Sequence, residues 1–352
     1  MRRKLAARVA AGALIAFMGA CSSSNPSSPA SEPANETSEQ TPGDSVQSTE
    51  AGDAPEAPAD ADGGLVPIIT TVLANPYWDA EADTAKAALE ALGFTTWVDA
   101  HNNDPQRQAE LVDAAISQKA VAIVLDPAGA DESIGVVTKA TDAGIPVFLI
   151  NAEINQEGVA KAQIIANNAQ GAELGGQYFA EQMGGKGKFV ELFGNPTDNN
   201  APVRSNAYHS VIEQYPDLEL LQTETANWNR DEGFQKMEIL LQAHPDLTGV
   251  LSGNDEMALG AIAAIEAAGK VPGKDVLVMG FDGSPDAVEA IESGKLLGTV
   301  LQPIVAETEE LVKQLGAYLK SGSTGADAEK QAMDCVLITP DNTDEYSLFN
   351  MS

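Results

Sequence analysis

The chain has 352 residues, with 52 acids against 20 bases and a net charge of −32. So acidic a protein repels nucleic acid, which argues against a DNA- or RNA-binding role. Two cysteines, Cys21 and Cys335, and three scattered histidines, His101, His209 and His244, offer neither a disulfide framework nor metal-ligand spacing, and no cofactor is expected.

The first residues carry a positive run, Arg2, Arg3, Lys4 and Arg8, then an apolar stretch over 10–18, then Gly19 and Ala20. This is the pattern of a secretory signal peptide, residues 1–20, whose apolar part is too short to span a membrane as a helix of about 20 residues. Met18-Gly19-Ala20-Cys21 resembles a bacterial lipobox, with methionine where leucine is commoner, so Cys21 is expected to be lipidated. An ordinary cleaved signal followed by an incidental cysteine is the plainer alternative. Residues 21–64 are rich in Ser, Pro, Ala, Glu and Asp and have no aromatic residue. Such a segment buries too little surface to offset its ordering entropy, so a disordered acidic tether is predicted. Together these features predict an exported protein held at the membrane surface by lipid.

The folded body begins near Leu65 and keeps a charge near −27, because nine acids fall in the tether and four bases in the signal. Residues 65–73 read as a buried strand, followed by a helix over 78–93 that Gly93 stops. A strand over 95–98 precedes a helix capped by Asp104 and running through Ser117. Further strands are predicted at 121–125, 146–150, 188–193, 218–222, 249–252 and 276–281, each followed by a segment of helical period. Strands alternating with helices imply parallel βαβ units, and strands apolar on both faces imply helices on both sides of the sheet. Cys335 sits in the apolar run Cys335-Val336-Leu337-Ile338, where a buried structural thiol is expected.

Sheets of this kind bind ligands beyond the carboxyl ends of their strands. The residues there form a consistent set: Asn75, Tyr77 and Trp78 after the first strand, Asn151 after the fourth, and Arg204 beyond the polar loop that follows Phe193. Trp228, Asn254, Asp282 and Gln302 follow the later strands. Arginine is scarce beyond the signal, at Arg107, Arg204 and Arg230 only, which makes Arg204 notable. Aromatic faces pack on the C–H surfaces of a sugar or reduced sugar, while amides, a guanidinium and a carboxylate match its hydroxyls. Each residue also has a plainer reading: Asn and Asp after strands cap helices or make turns, and tryptophans fill cores.

Three segments carry a family resemblance: residues 73–78 (Leu-Ala-Asn-Pro-Tyr-Trp), 254–261 (Asn-Asp-Glu-Met-Ala-Leu-Gly-Ala) and 278–286 (Val-Met-Gly-Phe-Asp-Gly-Ser-Pro-Asp). Over about 65–338 the chain resembles the ribose-binding-type periplasmic substrate-binding proteins of bacterial ABC sugar importers. The resemblance implies an α/β fold of two similar Rossmann-like lobes with parallel sheets, joined by a three-strand hinge. The lobes would be 65–166 plus 303–334 and 167–302 plus 335–352, with the nine strand-end residues above contacting the ligand. It implies a monomer that closes on its solute and delivers it to a permease driven by an ATPase, with no catalysis.

Asn151-Ala152 stands where ribose binders carry an Asp-Arg pair, which argues against ribose itself. The segments 150–155, 227–229 and 333–338 look more like the branch that binds erythritol, threitol or xylitol, so a short polyol is favoured. A pentose binder, a receptor presenting its ligand to a sensor and, remotely, an enzyme acting on a polyol stay open. A repressor of similar body would need a helix-turn-helix module, whereas this chain begins with an export signal.

Overall fold

The computed structural model describes residues 63–351. The signal peptide, Cys21 and all but the last two residues of the tether lie outside the described residues. Among those described, no helix is long and apolar enough to cross a membrane.

The first half alternates β1 (Ile68–Thr70), α1 (Pro76–Ala91), β2 (Val98–Ala100), α2 (Pro105–Ser117), β3 (Ile123–Leu125), α3 (Ile134–Asp142), β4 (Val147–Ile150) and β5 (Ala162–Ala166). The chain then runs through α4 (Asn168–Gln182), β6 (Lys186–Phe193), α5 (Asn200–Ile212), β7 (Asp217–Thr225), α6 (Arg230–Ala243), β8 (Gly249–Ser252), α7 (Asp255–Ala267), β9 (Leu277–Met279) and α8 (Pro285–Glu292). It ends with β10 (Thr299–Leu301), α9 (Ile304–Ser321), β11 (Lys330–Met333), β12 (Val336–Ile338) and a small hairpin of β13 (Tyr346–Ser347) and β14 (Asn350–Met351).

Two parallel sheets result. One has the order β11-β5-β4-β3-β1-β2 and the other β7-β6-β8-β9, while β10 and β12 pair antiparallel. Strands such as β3 and β4 are buried along their whole length, because helices cover both faces. The chain leaves the first sheet after Ala166, returns through Gln302-Pro303 into α9, which packs on α1, and leaves again at Asp334-Cys335.

Side chains at strand ends start the helices. Asn75 and Asp104 accept from the N–H two residues on, each before a helix that begins with proline, and Ser284 does the same from Ala287 ahead of Pro285. Each such cap is worth about 1 kcal/mol. Gly93 follows α1 with φ +87, a left-handed turn that ends the helix without steric cost.

Some elements differ from the sequence expectation. β2 lies at 98–100 instead of 95–98, because at Thr95 only a single bridge to Leu65 forms. α1 begins at Pro76, so Tyr77 and Trp78 stand on its first turn. β5 and β11 were not foreseen: Gln163 interrupts the apolar run of one, and the other is a half-exposed edge strand.

Candidate functional site

The carboxyl ends of both sheets face one cavity of about 250 Å³. Asn75, Tyr77, Trp78, Asn151, Arg204, Trp228, Asn254, Asp282 and Gln302 all line it, joined by Asp198 and Asn200.

The first-sheet wall is built on the start of α1. Asn75 caps the helix, and the Tyr77 and Trp78 rings meet edge to face at 6.4 Å. The Tyr77 hydroxyl donates to Asn151 Oδ1 at 3.1 Å, and Asn151 Nδ2 donates to Asp126 Oδ2 at 2.9 Å. Both ends of the Asn151 amide are therefore engaged, which fixes its orientation. Burial pushes the Asp126 carboxyl up to about 8. It likewise raises Glu307 to about 8 and lifts Glu81 and the Tyr77 hydroxyl well above their usual ranges. The wall is thus a polar surface backed by carboxyls that burial favours in the neutral form.

Arg204 organises the opposite wall. It is 3% exposed and lies over the Phe281 ring at 3.9 Å and the Trp228 ring at 5.2 Å. Its Nε donates to Asn168 Oδ1 at 2.7 Å, and its Nη1 donates to Gly253 O at 2.9 Å and Asp282 Oδ1 at 3.4 Å. Gln302 Nε2 donates to the same Asp282 oxygen at 2.7 Å. Burial pushes Asp282 up to about 7, against the opposing pull of Arg204 and Gln302. Trp228 Nε1 donates to Asp198 Oδ2 at 3.2 Å, and Asn254 donates to the Trp228 carbonyl while capping α7.

Three lining residues hold left-handed backbone: Asn151 at φ 62, Trp228 at φ 62 and Asp282 at φ 121. Such conformations persist only where the surroundings enforce them, and they cluster at functional sites. The Gln302 Oε1 is buried without a hydrogen-bond partner. A buried donor or acceptor left unpaired costs about 1–3 kcal/mol, so the cavity is poised to repay that cost to a hydroxylated guest.

The 194–200 segment ties the two walls together. Ala130 N donates to Thr197 O at 3.0 Å, Asn200 Nδ2 to Asn151 O at 3.1 Å, and Asn199 Nδ2 to Asn155 Oδ1 at 2.8 Å. Asp198, Asn200 and Asp126 escaped the sequence reading. All three follow strands, so the strand-end rule that found the others applies to them too. Asp126 ends an apolar run before Pro127, and the 194–200 loop reads as mere connection.

Of the other described arginines, Arg107 pairs with Asp99 and Glu110, and Arg230 pairs with Glu256 and Asp286, lining a neighbouring pocket that shares Asn75, Trp78 and Trp228 with the cavity. Cys335 is buried, and burial pushes its thiol up to about 12, as an inert structural thiol requires. Among the described residues no cluster of His, Cys, Asp or Glu is placed to hold a metal ion.

Comparison with known proteins gives a consistent result. The profile of the periplasmic binding protein domain matches residues 66–324. A D-apiose import binding protein of Actinobacillus succinogenes is 48% identical over 293 residues, 83% of this chain and 93% of the relative. A xylitol-binding protein of Mycolicibacterium smegmatis is 34% identical over 245 residues, 69% of this chain and 68% of the relative. In structure, an ABC transporter solute binding protein from Bacillus halodurans with bound myo-inositol superposes with a TM-score of 0.75 at 28% identity. That match covers 83% of this chain and 100% of the other.

Proposed function

Because the chain belongs to the periplasmic binding protein family, as an extracytoplasmic sugar-binding component of an ABC importer and not an enzyme, we propose that its cavity captures a single pentose of the apiose type. The carrying observation is the lining of the cavity: Trp78 and Trp228, five amides (Asn75, Asn151, Asn200, Asn254 and Gln302) and the Arg204–Asp282 pair, with Gln302 Oε1 unpaired. The 48% identity to a D-apiose import binding protein supports a branched pentose ahead of the short polyol favoured by the sequence motifs. The relative named for xylitol supports the polyol as the second reading.

The mechanism proposed is closure of two lobes, 65–166 plus 303–334 against 167–302 plus 335–352, about the three chain crossings. Sugar drives closure because only the closed form contacts it from both walls. Lipidation at Cys21, a monomeric state and docking of the loaded form on a permease driven by an ATPase complete the reading.

Titration calorimetry with D-apiose, D-ribose, xylitol and erythritol tests the ligand. Tightest binding of D-apiose is expected, tightest binding of xylitol or erythritol establishes the polyol reading, and no heat with any of them overturns both. Mass spectrometry of the mature N-terminus tests the anchor: diacylglycerol on Cys21, lost in Cys21→Ser, is expected, and a free thiol there refutes it.

A further inference from the structure

The tail beyond β12 lines no part of the cavity, yet it touches both of its walls from behind. Phe349 is completely buried, its ring edge-on to that of Tyr77 at 5.6 Å and 84°. It holds that place with φ 52, a left-handed conformation that a bulky residue keeps only where packing enforces it. Three residues earlier, the Tyr346 hydroxyl donates to Gly283 O at 2.8 Å and accepts from Phe349 N at 3.1 Å. One hydroxyl thus locks the tail's own turn and fastens it to the backbone beside Asp282. The turn at Thr343–Glu345 packs on α8 and β14 packs on α9, so the tail reaches elements flanking each sheet.

We propose that Tyr346 and Phe349 are positioning residues of the binding site. Phe349 sets the Tyr77 ring, whose hydroxyl orients the Asn151 amide, and Tyr346 sets the turn that presents Asp282. The contacts lie on opposite walls, so the tail docks fully only when the walls stand as they do here. Sugar and tail then favour the same arrangement, and the coupling between them is reciprocal: the factor by which losing the tail weakens sugar binding is the factor by which sugar strengthens tail docking.

The inference rests on the cavity being a sugar site, and the experiment separates the two. Full-length protein, Tyr346→Phe and Phe349→Ala are titrated with D-apiose and xylitol, and hydrogen exchange of residues 346–351 is followed with and without sugar. Tyr346→Phe removes one oxygen and its two hydrogen bonds, and is expected to weaken binding by about five-fold or more, the lower end of ordinary coupling, in a protein that still folds and melts cooperatively. Phe349→Ala is expected to weaken it further. In the unsubstituted protein, sugar is expected to slow exchange of the tail amides. Normal binding by the unsubstituted protein, with equal affinity in Tyr346→Phe and sugar-independent tail exchange, overturns the positioning role alone. Absence of any binding by the unsubstituted protein overturns the site reading and the tail's role with it. Should Phe349→Ala fail to fold, Tyr346→Phe and the exchange measurement decide the question.

Discussion

Arg204 Nη1 stands 3.4 Å from Asp282 Oδ1, and both side chains are buried. The pair survives out of water because Arg204 also bonds Asn168 and Gly253, and Asp282 also accepts from Gln302. Breaking such a pair by removing one partner leaves a buried charge uncompensated.

Arg204→Met is therefore expected to abolish measurable sugar binding and to destabilise the fold by about 3–5 kcal/mol. Arg204→Lys is expected to fail almost as badly in binding, since one ammonium cannot serve Asn168, Gly253 and Asp282 in the guanidinium's plane while stacking on Phe281. Calorimetric titration and thermal melting of the two variants check this.

Gln302 offers an unpaired, buried Oε1 and holds Asp282 with its other end. Gln302→Met keeps the volume and loses both functions. A loss of about 1–3 kcal/mol in binding, roughly five- to 150-fold in affinity, is expected by titration.

Gly194 lies against the Trp228 indole, so that a Cβ there would fall onto the ring. Gly194→Ala is expected to displace the indole and to weaken binding, at an overpacking cost of about 1–3 kcal/mol in stability. Altered tryptophan fluorescence together with a lower melting temperature would register both effects.

The pH dependence of stability has a definite sign. Asp126 and Glu307 titrate near 8 in the fold, against 3.8 and 4.5 when exposed, so between those values the folded state binds more protons than the unfolded. Their effect is to reduce stability as pH rises through that window. His101, lowered by burial to about 4 from 6.5, acts oppositely, but only below about 6.5. Melting temperature is thus expected to fall from pH 6.5 to pH 8.5, and Asp126→Asn to flatten that slope.

Much of this architecture is legible in the sequence because buried parallel strands announce themselves: Ile123-Val124-Leu125 and Val147-Phe148-Leu149-Ile150 have no other plausible use. β11, with Lys330 and Gln331, carries no such signal, since an edge strand needs apolar side chains on neither face. The site is legible for a different reason, in that strand ends collect the polar residues. The plainer readings of Asn75 and Asn254 hold as well, because both cap helices and line the cavity at once. The tail is illegible: nothing in Tyr346 or Phe349 as sequence tells that they meet Gly283 and Tyr77, contacts more than 60 positions away.

The left-handed backbone at Asn151, Trp228 and Asp282 limits how the pocket can be retargeted. β-branched residues at those positions would fight the chain before meeting any guest. Redesign toward another sugar is best begun at Tyr77 and Gln302, whose backbones are ordinary, leaving the three strained positions as a fixed frame. Libraries that randomise all eleven lining positions equally will spend many members on chains strained at those three.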